Sequence, residues 1–167
     1  MYTIEVNDTE MKSAIEGLRG FNSALPSVLH GLGGVLSAAV ERGFQEESDP
    51  VTGAPWAELS PVTLARREAA GHSGKILQVK GDLAASFNAS VSGDTVSVGT
   101  NKIYATTMHF GARQGQFGRT RRGGPIPWGN IPARPILPVD EQGGMNAEDK
   151  EEIADVLVNA INRLLRA

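Results

Sequence analysis

The sequence predicts an α+β fold: a long N-terminal helix, a small antiparallel sheet made by a hairpin, and a C-terminal amphipathic helix packed on that sheet. Three observations predict it. Residues 10–44 repeat apolar side chains at helical spacing. Residues 89–98 alternate apolar and polar on either side of Ser92-Gly93-Asp94-Thr95. Residues 146–166 return to the helical period, with acidic groups first and basic groups last.

At the N-terminus Tyr2, Ile4 and Val6 alternate, as in a short strand or extended arm, and residues 7–9 offer helix caps. Met11, Ile15, Leu18, Phe21, Leu25, Val28, Leu29, Leu32, Val35, Leu36, Val40 and Phe44 then share one helical face. Pro26 has no N–H for the ladder and is expected to kink or split this helix. Gly31, Gly33 and Gly34 weaken its second half, or let another element approach closely.

Ser48-Asp49-Pro50 and Gly53-Ala54-Pro55 mark an exposed loop. Ser60 and Pro61 open a short helix over 61–70, anchored by Trp56, Leu59 and Leu64. Gly81-Asp82 suggests a second short helix carrying Leu83 and Phe87, and Leu77 is expected in the core with them. Ala89 and Val91, and then Val96 and Val98, flank the turn residues 92–95 as in a hairpin. Residues 103–110 read as a short helix. Residues 131–139 read as a strand interrupted by prolines, hence an edge strand open to β-augmentation.

The last helix has Asn146 as cap, Glu148, Asp149, Glu151 and Glu152 in its first turns, and Arg163 and Arg166 in its last. Ile153, Val156, Leu157, Ala160, Ile161, Leu164 and Leu165 form its apolar stripe. The expected organisation is one domain over 1–167, with an N-terminal helical arm (8–47) and a flexible Arg/Gly loop (111–130).

With 167 residues the chain can bury a core without staples. It has no cysteine, which removes disulfides, thiolate metal sites and cysteine nucleophiles, and fits a reducing cytoplasm. Residues 1–8 lack the pattern of a signal peptide, and no run approaches the ~20 apolar residues of a membrane span, so no membrane partner is expected.

The net charge of -3 gives no argument for nucleic acid, but its distribution is uneven. No acidic residue lies between Asp94 and Asp140, an interval that holds Lys102, Arg113, Arg119, Arg121, Arg122 and Arg134. Residues 140–155 are strongly acidic. This pattern suits complementary contact with a neighbouring subunit or with DNA, and it also suits a solvated loop.

Catalytic and metal signatures fail on their own terms. His30, His72 and His109 lie far apart, and none has the partner one helical turn on that a metal pair needs. Gly74-Lys75 lacks the preceding glycine and following hydroxyl of a phosphate loop. Gly71-His72-Ser73-Gly74 lacks the glycine and preceding strand of a nucleophile elbow. The pairs Glu46-Glu47 and Glu151-Glu152 are sequence neighbours that do not face each other on a helix. The expectation is no enzyme, no cofactor and no metal, with His109 serving packing or hydrogen bonding.

One ordered set of residues is specific. Trp56-Ala57-Glu58-Leu59-Ser60 is followed by Thr63, Arg66-Arg67 and Ile76-Leu77, then by Gly81-Asp82-Leu83-Ala84-Ala85-Ser86. Next come Val98-Gly99-Thr100-Asn101, Tyr104-Ala105, His109-Phe110-Gly111 and Ile131-Pro132-Ala133-Arg134-Pro135-Ile136-Leu137. This order, over about residues 44–165, resembles the phage virion morphogenesis, or tail-completion, family of Mu-like and related contractile-tailed phages. The link between the His-Phe-Gly and Pro-Ala-Arg-Pro elements is longer here than the family's usual one.

The resemblance implies a virion protein at the head–tail junction, or neck, assembled in the bacterial host cytoplasm. Such a protein finishes tails and joins them to heads. It also implies partners: further copies in a ring (most simply a hexamer, by analogy with tail symmetry), the tail tube or terminator protein, and the head connector or stopper proteins. DNA in the channel is a non-specific neighbour.

Candidate interface residues are Arg113, Arg119, Arg121, Arg122, Arg134 and Trp56. Arg134, on a rigid proline-flanked segment, could bind a carboxylate bidentately. Trp56 suits an interface anchor and core packing equally. The competing function is a nucleic-acid-binding accessory protein that uses the arginine tract, recognisable by strongly salt-dependent affinity.

Overall fold

The computed structural model describes residues 9–72 and 74–164. The expected strand at 1–6, and the caps at Asn7 and Asp8, lie outside the described residues. Helix α1 (Thr9–Glu46) leads to α2 (Pro61–Ala69), then to strands β1 (Asn88–Ser92) and β2 (Thr95–Gly99), and then to α3 (Ala105–Phe110) and α4 (Ala147–Leu164). The α+β class and the order of long helix, antiparallel pair and C-terminal helix are as the sequence predicts.

α1 runs through Pro26 as one element. Its neighbour supplies the reason. α4 lies antiparallel along α1: Gly20 meets Leu164, Gly31 meets Val156, and Arg42 pairs with Asp149. The two helices therefore touch on both sides of the proline, and α4 splints the turn that Pro26 weakens. The glycine at 31 permits the approach, since a Cβ there would stand 3.0 Å from Val156 Cγ1.

Residues two apart lie on nearly opposite sides of a helix. Gly33 accordingly faces the hairpin, with its Cβ position 3.2 Å from Ala89 Cβ. α1 is thus the layer between the hairpin and α4. The expected packing of the last helix on the sheet is corrected to this extent: α4 packs chiefly on α1, which carries the sheet on its other side.

On length and composition alone Gly20–Glu46 would cross a bilayer, contrary to the expectation that no segment would. In this fold the segment is the shared helix between two packed elements.

The predicted hairpin is present, with Ala89 opposite Val98 and Val91 opposite Val96. Its two-residue turn has Gly93 at φ 61°, where a side chain would be strained. Ser60 caps α2 as expected, its Oγ accepting from Thr63 N at 3.2 Å. The expected second short helix is only a single tight turn at Ala84–Ser86. There the Ser86 hydroxyl turns back to Leu83 O, a local bond that competes with helix propagation.

The core gathers at the C-terminal end of α1: Val40, Phe44, Trp56, Ile76, Leu83, Ala105 and Ile136. Phe44 meets Trp56 edge-on at 5.5 Å and Phe87 at 5.9 Å. Leu77 and Phe87, expected in the core, are half-buried and pack against its edge.

Candidate functional site

Gly111 ends α3 at φ 74° and ψ -177°, a backbone state that is essentially glycine's alone. A Cβ there would lie 2.6 Å from Ile131 O and 2.8 Å from Ala133 N. From this point the chain leaves the core and returns as a long finger. Ala112 and Ile131 exchange both backbone hydrogen bonds, at 2.9 and 2.8 Å. Further out, Gly115 N donates to Pro127 O, Phe117 N to Ile126 O, Ile126 N to Gly118 O, and Thr120 N to Gly124 O. The Gln114 amide adds a side-chain bond to Trp128 O.

The Arg/Gly tract expected as a flexible loop therefore has a backbone pairing of its own. The sequence did not announce it, because glycine and proline obscure the period of a strand.

The finger's side chains face water. Arg113, Arg119, Arg121 and Arg122 are all exposed, and none forms an ion pair among the described residues. Arg119 Nη1 donates to Gly123 O at 3.0 Å, which steadies the tip. Phe117, Ile126 and Trp128 are exposed beside them, and Trp128 is 76 % accessible. Exposed aromatics next to arginines are the composition of contact surfaces.

Arg134 and Trp56, predicted for an interface, lie in the interior. Trp56 is 5 % exposed and its Nε1 donates to Pro135 O at 2.8 Å. Arg134 is also 5 % exposed. Its Nε and Nη2 both donate to Ala57 O, at 2.9 and 2.7 Å, and Nη2 reaches Glu58 O at 3.2 Å. The expected carboxylate partner is thus replaced by two carbonyls of its own chain. Burial lowers the Arg134 pKa from its ordinary value, and the nearby charge of Arg67 adds to this.

The expected edge strand at 131–139 is corrected as well. Apart from the Ala112–Ile131 pair it has no strand partner among the described residues, and it runs as a strap across the core with Ile136 and Pro138 fully buried. Pro132, Pro135 and Pro138 have no N–H. Among the N–H groups that remain, Arg134 N bonds Met108 O at 2.9 Å and Ile136 N bonds His109 Nδ1 at 3.0 Å. His109 is therefore a hydrogen-bond acceptor, as its packing role predicts, and its ring must be neutral at Nδ1. Burial pushes its pKa down, against the opposing charges of Asp49 and Glu141.

A cleft of about 200 Å³ lies beside this ring, lined by Phe87, Thr100, Lys102, Thr106 and Phe110 among others. The ring also borders a second cleft, which carries Asp49, Asp140 and Glu141. Among the described residues no three potential metal ligands converge.

Sequence reasoning missed Arg42 and Asp149. Asp149 is fully buried and joined to Arg42 by a short ion pair, with its Oδ2 left without a hydrogen-bond partner. That bond, more than any other influence, raises the Arg42 pKa. Asp149 was legible as an acidic first-turn residue behind the Asn146 cap, which does accept from Glu148 N at 3.0 Å. Its spacing told it apart from Glu148: Asp149 lies four and seven positions before Ile153 and Val156, on the apolar stripe. Another signal was present: Arg42 is the only lysine or arginine between Arg19 and Arg66.

With α4 seated by Asp149, Ile153, Val156, Ala160 and Leu164, its outer half carries two bands. Glu148, Glu151, Glu152 and Asp155 recur at one helical spacing, and Ala154, Leu157, Val158 and Ile161 recur at the same spacing beside them. All eight are exposed.

The molecule is a small framework that displays a basic aromatic finger and an acidic, apolar helix face: an interaction protein in its surface chemistry. The comparisons agree with this class. The model of the phage virion morphogenesis family matches residues 6–162, so the similarity extends through α1 as well as the motifs downstream, and the chain belongs to that family. It is 33 % identical over 144 residues to "Putative capsid assembly protein G" of Escherichia phage Mu, covering 86 % of this chain and 81 % of that protein. No solved structure matches the chain. The protein's role is in phage structure or assembly, in a virion context.

Proposed function

We propose that this chain is a non-enzymatic tail-completion or neck subunit. It assembles as a homo-oligomeric ring at the head–tail junction and is required to finish tails and join them to filled heads. The observation that carries the reading is the pair of opposite surfaces on one family member: an arginine finger without an acidic partner, and a helix with four exposed carboxylates. A surface of this kind is complementary to a copy of itself related by rotation, which is the requirement for a closed ring. The tail tube or terminator protein below, and the head connector or stopper above, are the partners that such a position implies.

The test is deletion of the chain from its phage, followed by electron microscopy of the lysate. Filled heads and unjoined tails are the expected products, with joining restored by the purified chain. Normal virions, or a block before heads form, would overturn the reading. A role in DNA handling is the second reading, favoured by the placing of Phe117 and Trp128 among arginines, since aromatic rings and guanidinium groups together bind single strands. It requires tight DNA binding by the isolated chain that weakens steeply with salt.

A further inference from the structure

We infer that the finger of one copy docks on the outer face of α4 of the next copy, and that this is the contact that propagates the ring. The inference rests on the ring reading above and names its interface.

Two independent complementarities support it. The first is charge. Arg113, Arg119, Arg121 and Arg122 have no ion-pair partner among the described residues, while Glu148, Glu151, Glu152 and Asp155 stand exposed in one stripe on α4. The second is apolar. Phe117, Ile126 and Trp128 are exposed on the finger, while Leu157, Val158 and Ile161 are exposed on α4. On both elements the charged and apolar groups are interleaved or adjacent, so a single docking event would satisfy both sets together.

The contact joins two different surfaces, so it is heterologous. Such contacts continue from copy to copy until rotation closes them. Bonds within the fold hold the support on each side. The finger is tied at its base by the Ala112–Ile131 pair and at its tip by the Thr120–Gly124 bond. α4 is fixed to α1 by Gly31–Val156 and by the Arg42–Asp149 ion pair. DNA would satisfy the arginines but would leave the apolar band of α4 uncovered, which favours the second copy as the occupant.

The absence of cysteine makes a direct test clean. Two singly substituted chains, Arg121→Cys and Asp155→Cys, are mixed in assembling particles and treated with a short thiol-specific crosslinker. A covalent dimer containing one of each is expected, and a chain carrying both substitutions should give a ladder of oligomers. A third chain with Glu151→Lys and Asp155→Lys should lose joining activity, and should regain it when Arg121→Glu and Arg122→Glu are introduced together.

If copies associate, as read by an amine-reactive crosslinker, but the cysteine pair gives no product and the charge reversal is not rescued, the ring reading stands and this interface is overturned. If no copies associate in particles by either reagent, the ring reading itself fails. If Arg121→Cys crosslinks only to nuclease-sensitive material, the finger is a DNA contact and the proposal is overturned in favour of that reading.

Discussion

The finger and the strap are adjacent in sequence, both rich in proline or glycine and both carrying arginine, yet one stands in water and the other crosses the core. The difference lies in where their polar groups find partners. The strap gives the N–H of Arg134 to Met108 O, that of Ile136 to a histidine ring, and the guanidinium of Arg134 to two carbonyls. It can therefore bury Arg134 and Ile136 with their donors paired. The finger satisfies its backbone across its own two legs and leaves four guanidinium groups in solvent. A buried arginine here is a structural clamp, and an exposed cluster with no carboxylate nearby is a surface awaiting a partner.

The largest effect should follow from breaking the strap's anchor. Trp56→Ala removes the ring beneath Pro135 and its edge contact with Phe44, and it should cost about 3–5 kcal/mol in chemical denaturation. An unchanged midpoint would show that Trp56 contributes nothing to the core. Next is the junction between the two regions. Gly111→Ala forces a side chain against Ile131 O in a glycine-only backbone state, at a cost of about 1–3 kcal/mol. Because the strain falls where finger and strap meet, amide exchange should quicken at both Ala112 and Arg134.

A smaller effect comes from pH. The fold holds His109 neutral and lowers its pKa through burial, so the unfolded chain binds the proton more readily. The contribution of this ring to stability is therefore full above about pH 6.5. It is lost as pH falls from there through the lowered folded pKa. Comparing denaturation above and below that value should show the loss, and His109→Asn, whose Oδ1 can accept from Ile136 N, should reduce it. An equal loss in the variant would place the sensitivity elsewhere. The smallest effect on stability belongs to the finger: replacing Arg113, Arg119, Arg121 and Arg122 together by Ser should shift unfolding by less than about 0.5 kcal/mol per site. The same variant should nevertheless fail to join heads to tails. A large loss of stability would mean that the finger belongs to the fold.

The elements visible in the sequence are those set by local period and local capping. The hairpin followed from Ala89, Val91, Val96 and Val98, and the start of α2 from Ser60 and Pro61. What could not be read was decided by distant partners. Trp56 fitted core and interface alike until Pro135 O appeared beside its Nε1. The motifs carrying the family resemblance, around Trp56, His109 and Arg134, prove to be bonded to one another. They mark the knot that fixes the fold, whereas the proposed contact surfaces lie on the finger and on α4. Asp149 shares the helical face of Ile153 and Val156, but its partner Arg42 is fixed only by the packed helix pair.

The α4 splint also has a kinetic meaning. Arg42 and Asp149 are 107 positions apart, so α1 acquires its bracing only after a long loop has closed, and that closure costs chain entropy before the contact repays it. Until then the weak turn at Pro26 is unsupported and the outer face of α4 has no fixed orientation. On the docking proposed above, the acidic and apolar bands become a usable surface only when the most distant parts of the chain have met, so an incompletely folded copy would have no adhesive face to offer a growing assembly.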